Sequence, residues 1–220
     1  MLVFLKYLGL AFSALLPVVN PLGSALVFLR LVGPASPETY RTLAIQVAAR
    51  TAAFLVAIEF AGTLLLAFFG IKLPVVQLAG GFVLAAMGWN LLNQSESDTN
   101  TSARVAGATV DKDLQDKLFY PFTFPVTAGP GCIVVTITLA AHAVRMQGFQ
   151  NVTAHLGIAV AIAALAVTVA LSYAYASKMT IYVAPATLQG ILRVIAFVLL
   201  CIGVQIAWQG LQAMILNMQG

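Results

Sequence analysis

The chain has 220 residues, 61% of them hydrophobic and only 8% charged, against about 25% charged in an ordinary soluble domain. Apolar runs of about 20 residues, the length that crosses a bilayer, recur along it and exclude a water-soluble globular protein. The formal net charge of +4 comes from dispersed basic residues, so it bears on membrane topology and offers no nucleic-acid surface.

Six spans are predicted, at roughly 3–31, 41–67, 74–93, 119–142, 152–176 and 188–214. The first has one early cation, Lys6, and its apolar run carries on through Asn20-Pro21-Leu22-Gly23 to Phe28. It therefore reads as a retained helix and not a cleaved leader. Inside it, Asn is a favoured N-cap and Pro at the first helical position loses no hydrogen bond, so a new half-helix is predicted to start at Pro21. Backbone groups freed by Pro17 and Pro21 must then find partners in protein or in a wet cavity.

The second span holds Glu59 at a depth where an ionised carboxylate is expensive, which makes it a candidate proton or cation relay. A salt bridge, or snorkelling toward the outer surface, is the equally weighted alternative. Arg50 and Arg193 lie nearer the predicted cytoplasmic ends of their spans and read as snorkelling cations.

Polar residues from Gln94 to Lys117 have the composition of a linker between two halves. The expected organisation is a first unit over 1–93, a cytoplasmic linker over 94–118 and a second unit over 119–220. The fourth span repeats the interruption at Pro125-Val-Thr127-Ala-Gly129-Pro130-Gly131. Gly129-Pro130 offers a second helix start, with Thr127 as an alternative oxygen cap. His142 and His155 flank the next loop and read as interfacial; two isolated histidines make no metal site. Cys132 and Cys201 each lie within an apolar run, so neither a disulfide nor a cofactor has support.

The third and sixth spans resemble one another. Gly81-Phe-Val-Leu-Ala-Ala-Met-Gly88 aligns with Ala196-Phe-Val-Leu-Leu-Cys-Ile-Gly203, and an amide follows each, Asn90 and Gln205, which read as helix cross-links. Three spans per half is an odd number, so the second half is expected upside down relative to the first. Lys6, Lys72 and Arg145 fall on one side of the predicted membrane and Arg30, Arg41, Arg104, Lys112, Lys117 and Lys178 on the other. The richer side is cytoplasmic by the positive-inside rule, which puts both termini outside.

The Asn20-Pro-Leu-Gly23 motif, Phe124-Pro-Val-Thr-Ala-Gly-Pro-Gly131 and Leu192-Arg-Val-Ile-Ala-Phe-Val-Leu-Leu-Cys-Ile-Gly-Val-Gln205 resemble the MarC family of prokaryotic six-span membrane proteins. The similarity extends over nearly the whole chain, and Thr127-Ala-Gly-Pro-Gly131 is its most specific element. MarC-like proteins are grouped with neutral amino acid transporters and share a layout with the lysine-exporter superfamily. The resemblance thus implies a small-solute carrier of the inner membrane.

From the residues themselves, two opposed half-helix N-termini would each carry about half a positive charge and free N–H donors, which suit a carboxylate. The candidate substrate-binding residues are Asn20, Pro21, Gly23, Ser24, Thr127, Gly129, Pro130 and Gly131. Close helix packing and simple kinks account for the same glycines and prolines without a substrate. Thr123, Thr127, Ser13 and Ser24 more commonly stitch interrupted backbone than hold a ligand.

No GxSxG, HExxH, CxxC or phosphate-binding glycine loop occurs, so no enzyme, metal or cofactor is expected. The expectation is an all-α membrane protein of six transmembrane helices in two inverted three-helix repeats, with helices 1 and 4 interrupted mid-membrane. Its expected activity is secondary transport of small neutral amino acids coupled to H⁺ or Na⁺, by rocking of one repeat against the other. A passive channel, an exporter of another small solute and a non-transporting assembly protein are the alternatives.

Overall fold

The computed structural model describes residues 1–93, 118–178 and 183–218. The linker expected over 94–118 lies, apart from Leu118, outside the described residues. Every regular element among the described residues is helical: α1 (Leu2–Val19), α2 (Pro21–Val32), α3 (Pro37–Phe68), α4 (Leu73–Asn93), a wide-turned segment Phe119–Thr127, α5 (Pro130–Val144), α6 (Phe149–Ala174) and α7 (Pro185–Met218). Five stretches are long and apolar enough to cross a membrane, and the 119–127 segment with α5 makes a sixth. These follow the six predicted spans closely.

The helices run as their sequences dictate. Ser36 caps α3 by accepting a hydrogen bond from Thr39 N, Pro37 occupies the first helical position and Glu38 complements the dipole in the first turn. Tyr40 then ties the preceding loop down by donating to the Gly33 carbonyl. One stripe of α3 is buried through Val47, Thr51, Leu55, Glu59 and Gly62, the spacing of a single helix face. Its opposite side stays apolar because it faces lipid, as Phe60, Leu64 and Phe68 do. At about 1.5 Å per residue, α3 and α7 are each near 50 Å long and outrun a ~30 Å hydrocarbon core. Arg50 and Arg193 lie on these helices and are exposed, consistent with snorkelling.

Lipid gives helices no hydrophobic reason to associate, so close van der Waals contact between small residues must do it. The α4–α7 pair shows this best. A Cβ on Gly81 would stand 2.3 Å from the Ala207 backbone nitrogen, and one on Gly203 2.3 Å from that of Ala85. Gly88 lies as tightly on Leu200 and Ala196, and Gly210 on Leu78 and Pro74. Asn90 and Gln205, expected to link helices, are instead exposed. Glycines bring the two backbones together, so no side-chain cross-link is needed.

Around this pair the chain order is interleaved. α6 packs on α1, α2 and α3, α3 packs on α5, and α4 meets α5. The buried core is centred on Tyr173, Phe28, Phe122, Leu15, Leu55 and Leu165. The third and sixth spans, α4 and α7, form the most extensive helix pair, with α4 also meeting α5.

Candidate functional site

The two interrupted stretches differ in kind. α1 runs on through Pro17 to Val19, and a single residue, Asn20, at φ 46° and ψ 65°, separates it from α2. Asn is among the few residues that adopt this left-handed conformation readily. Its side chain then accepts from Gly23 N at 3.1 Å, with Pro21 next in line. The N-cap and first-position roles read from Asn20-Pro21 are present. Together α1 and α2 remain one 31-residue apolar stretch, whereas the 119–127 segment and α5 meet at a 65° bend.

The second stretch is held by side chains. Tyr120 and Phe124 have extended backbone inside it, and the Tyr120–Pro121 and Phe124–Pro125 peptides are cis. Ala128 N bonds back to Thr123 O at 2.8 Å, and the hydroxyls of Thr123 and Thr127 donate to Leu118 O at 2.8 Å and Phe122 O at 2.6 Å. Ser24 does the same on the other side, donating to Asn20 O at 2.9 Å. These hydroxyls stitch interrupted backbone.

A residue that sequence reasoning passed over joins the two. Tyr173 of α6 is fully buried, stacks on Phe28 of α2 with ring centres 4.5 Å apart, and places its hydroxyl 2.7 Å from Thr127 Oγ1 while facing the Ser24 side chain. Counting protons fixes the direction of these bonds. A carbonyl only accepts, so the single proton of Thr127 goes to Phe122 and that of Ser24 to Asn20. The Tyr173 proton must therefore go to Thr127. Three hydroxyl oxygens end with spare lone pairs and no spare proton, which makes the cluster an acceptor of hydrogen bonds.

The donor side lies at α5. No side chain caps its N-terminus, where Gly129 is the N-cap, Pro130 supplies no N–H, and Cys132 N is taken by Gly129 O at 3.0 Å. Gly131 is buried, and a Cβ there would come within 2.2 Å of Leu84 and 3.1 Å of Val18, so the start of α5 is pressed against α4 and the end of α1. At α2, by contrast, Asn20 has already taken the Gly23 N–H. The expected pair of equivalent anion-attracting ends is thus unequal.

The structure brings Ser24, Thr127, Gly129 and Gly131 into a buried zone with Pro21, leaves Asn20 and Gly23 half-buried at its edge, and leaves Pro130 exposed. Phe28, Phe122 and Tyr173 fill the space between the stretches. Glu59 is elsewhere. Its side chain is fully buried and its Oε1 lies 3.1 Å from Nδ1 of His155, which is only 14% exposed. His155 is therefore a partner of Glu59 and not the interfacial residue expected, because α6 turns it toward the buried stripe of α3. His142 is exposed, with Nδ1 2.7 Å from Thr138 O.

The signal for Tyr173 was its position in a buried stripe with Ile158, Ala161, Leu165 and Val169. A phenol there needs a polar partner, but nothing in the sequence names Thr127.

Comparison with known proteins agrees with this architecture. Residues 5–215 match the model of the MarC family integral membrane proteins. Relatives named UPF0056 inner membrane protein MarC, from Escherichia coli K12 and from Shigella flexneri, are 27% identical over 213 residues, covering 96% of this chain and 96% of theirs. No solved structure matches. With its multi-pass helical fold and a family match over nearly its whole length, the chain belongs to the MarC family of integral membrane proteins.

Proposed function

We propose that this protein is a secondary transporter, and not an enzyme, that carries small neutral amino acids across the cytoplasmic membrane with both termini outside. The observation that carries the reading is the Tyr173 hydroxyl, which joins the two interrupted stretches and leaves oxygen acceptors beside an uncapped helix N-terminus. A zwitterion supplies what each side lacks. Its ammonium donates to the oxygens of Tyr173, Ser24 and Thr127, and its carboxylate takes the Gly131 N–H and the positive end of α5. A small side chain is favoured because Phe28 and Phe122 leave little room.

These aromatics also make the conformation described here a closed one, so entry of substrate requires Tyr173 or α2 to move. Motion of the α4–α7 pair against the other helices is the route the packing favours. The halves are read as inverted repeats, interrupted near the membrane midplane, and the glycine contacts support this. α4 and α7, which carry the aligned stretches, pack antiparallel, Gly81 on Gly203 at one end and Gly88 on Ala196 at the other, as inversion requires. Glu59 is the proposed site of ion coupling.

Binding is tested by thermal stabilisation of purified protein, since a ligand of the folded state raises its apparent stability. Glycine and alanine should stabilise, while alanine amide, lacking the carboxylate, and propionate, lacking the ammonium, should not. Equal stabilisation by all of them, or by none, contradicts the zwitterion site.

A further inference from the structure

The buried stripe of α3 runs Thr51, Leu55, Glu59, Gly62, so Glu59 stands where its neighbours call for an apolar side chain. One carboxylate oxygen meets His155, while Oε2 is buried and has no partner. An ionised carboxylate with an unmatched oxygen in such a place is costly. His155 does not close the site off. It lies on the wall of a groove of about 220 Å³ formed with Phe60, Asn151, Val152, Leu156 and Ala159, and its ring stacks on Phe60 at 5.6 Å. Asn151 and His155 are one turn apart on the same face of α6. At about 1.5 Å per residue the histidine is ~9 Å from the start of α6 and Glu59 ~14 Å from the end of α3, so the pair lies nearer one membrane surface than the other.

We propose that Glu59 and His155 together hold one exchangeable proton, loaded through the partly exposed imidazole, and that the coupling ion of the carrier is H⁺. The coupling clause deepens the role given to Glu59 above and rests on it; the proton site does not. With Nδ1 engaged by Glu59, Nε2 exchanges with the groove. As Nε2 gains a proton there, the Nδ1–H bond breaks and an O–H bond forms at Oε1. The imidazole is left neutral, and Oε2 becomes the carbonyl oxygen of an acid, whose solitude costs far less than that of a carboxylate oxygen. Such a pair titrates as a unit.

The other ionisable groups at this end are Lys6 on α1, Lys72 after α3, and His142 and Arg145 at the end of α5, all exposed, together with the buried Tyr7 of α1, which packs on α6 at Gly157; none is bonded to the pair. α5 meets this part of α3 at Gly62 through the apolar Ile137. Sodium fits poorly, because a hard cation demands several oxygen ligands and here one of the two partners is an imidazole.

The test is pH-dependent infrared absorption of the purified full-length protein. The wild type should show a carboxylic-acid band whose intensity changes reversibly with pH. E59Q should abolish it, and H155Q should move its midpoint by at least about one pH unit. H155N replaces H155Q where the latter does not purify as a single species. A band absent from the wild type, unchanged in E59Q, or unmoved by loss of His155 overturns the proton site; so does a band that responds to Na⁺ at fixed pH. If the band behaves as expected while E59Q leaves proton-driven uptake intact, the site stands and H⁺ coupling is overturned. If no amino acid is transported by the wild type, the carrier reading fails and the infrared result alone decides the site.

Discussion

Replacing Thr127 by valine keeps its shape and removes its hydroxyl, which the proton count places between Tyr173 as donor and Phe122 O as acceptor. Tyr173 then loses the acceptor 2.7 Å from its hydroxyl, and Phe122 O one of its donors, in a region where Thr127, Phe122 and Tyr173 are all at most 1% exposed. A buried polar group left unpaired costs about 1–3 kcal/mol, and only the Tyr173 hydroxyl is left so, so T127V should lose about 1–3 kcal/mol. Tyr173→Phe removes the donor but leaves Thr127 bonded to Phe122. Only the net value of one hydrogen bond is lost, about 0.5–1.5 kcal/mol, toward the low end given a mean near ~0.6 kcal/mol in membrane proteins. The double variant no longer strands a phenol, so it should be more stable than T127V alone by roughly 1–3 kcal/mol. Reversible unfolding in mixed detergent micelles measures all four species as a double-mutant cycle. If Y173F costs as much as T127V, or adding Y173F to T127V rescues nothing, the assigned direction of this hydrogen-bond chain is wrong.

Other outcomes follow from the same contacts. Asn20→Ala should cost about 1–2 kcal/mol through the lost cap and through the left-handed backbone that alanine resists. Asn20→Gly should cost only a few tenths, so equal losses for the two would reject the capping account. Gly203→Val forces side-chain atoms onto the backbone of Ala85 and should cost more than the ~1–3 kcal/mol typical of overpacking. A disulfide trapped between cysteines placed across the α4–α7 contact should form in the wild-type background and be lost in that variant. In transport, Asn20→Ala should weaken substrate affinity more than it reduces expression; normal uptake would move the site away from α2.

The spans were legible because lipid-facing helices need apolar residues on all sides, which hydropathy registers directly. Asn20-Pro21 was legible for a local reason: a cap and a first-position proline act within one turn. The likeness of the third and sixth spans was legible, but not that their glycines pack on one another, and the amides beside them are exposed because backbone contact leaves nothing for them to bridge. What the sequence did not disclose is long-range. The bond between Tyr173 and Thr127, and that between Glu59 and His155, depend on how α6 is rotated against its neighbours, and a uniformly apolar α6 carries little periodic signal of its rotation. The interleaving of the two halves was hidden for the same reason, since chain order says which helices are consecutive and not which ones touch.

The central claim is carriage of an amino acid against its gradient. Purified protein in sealed liposomes, given labelled alanine and an imposed proton gradient, should accumulate the label above equilibrium, and collapsing the gradient should release it. Flux that only equilibrates, whatever gradient is imposed, would show a channel. No flux for any neutral amino acid would contradict the account and leave an assembly role in its place.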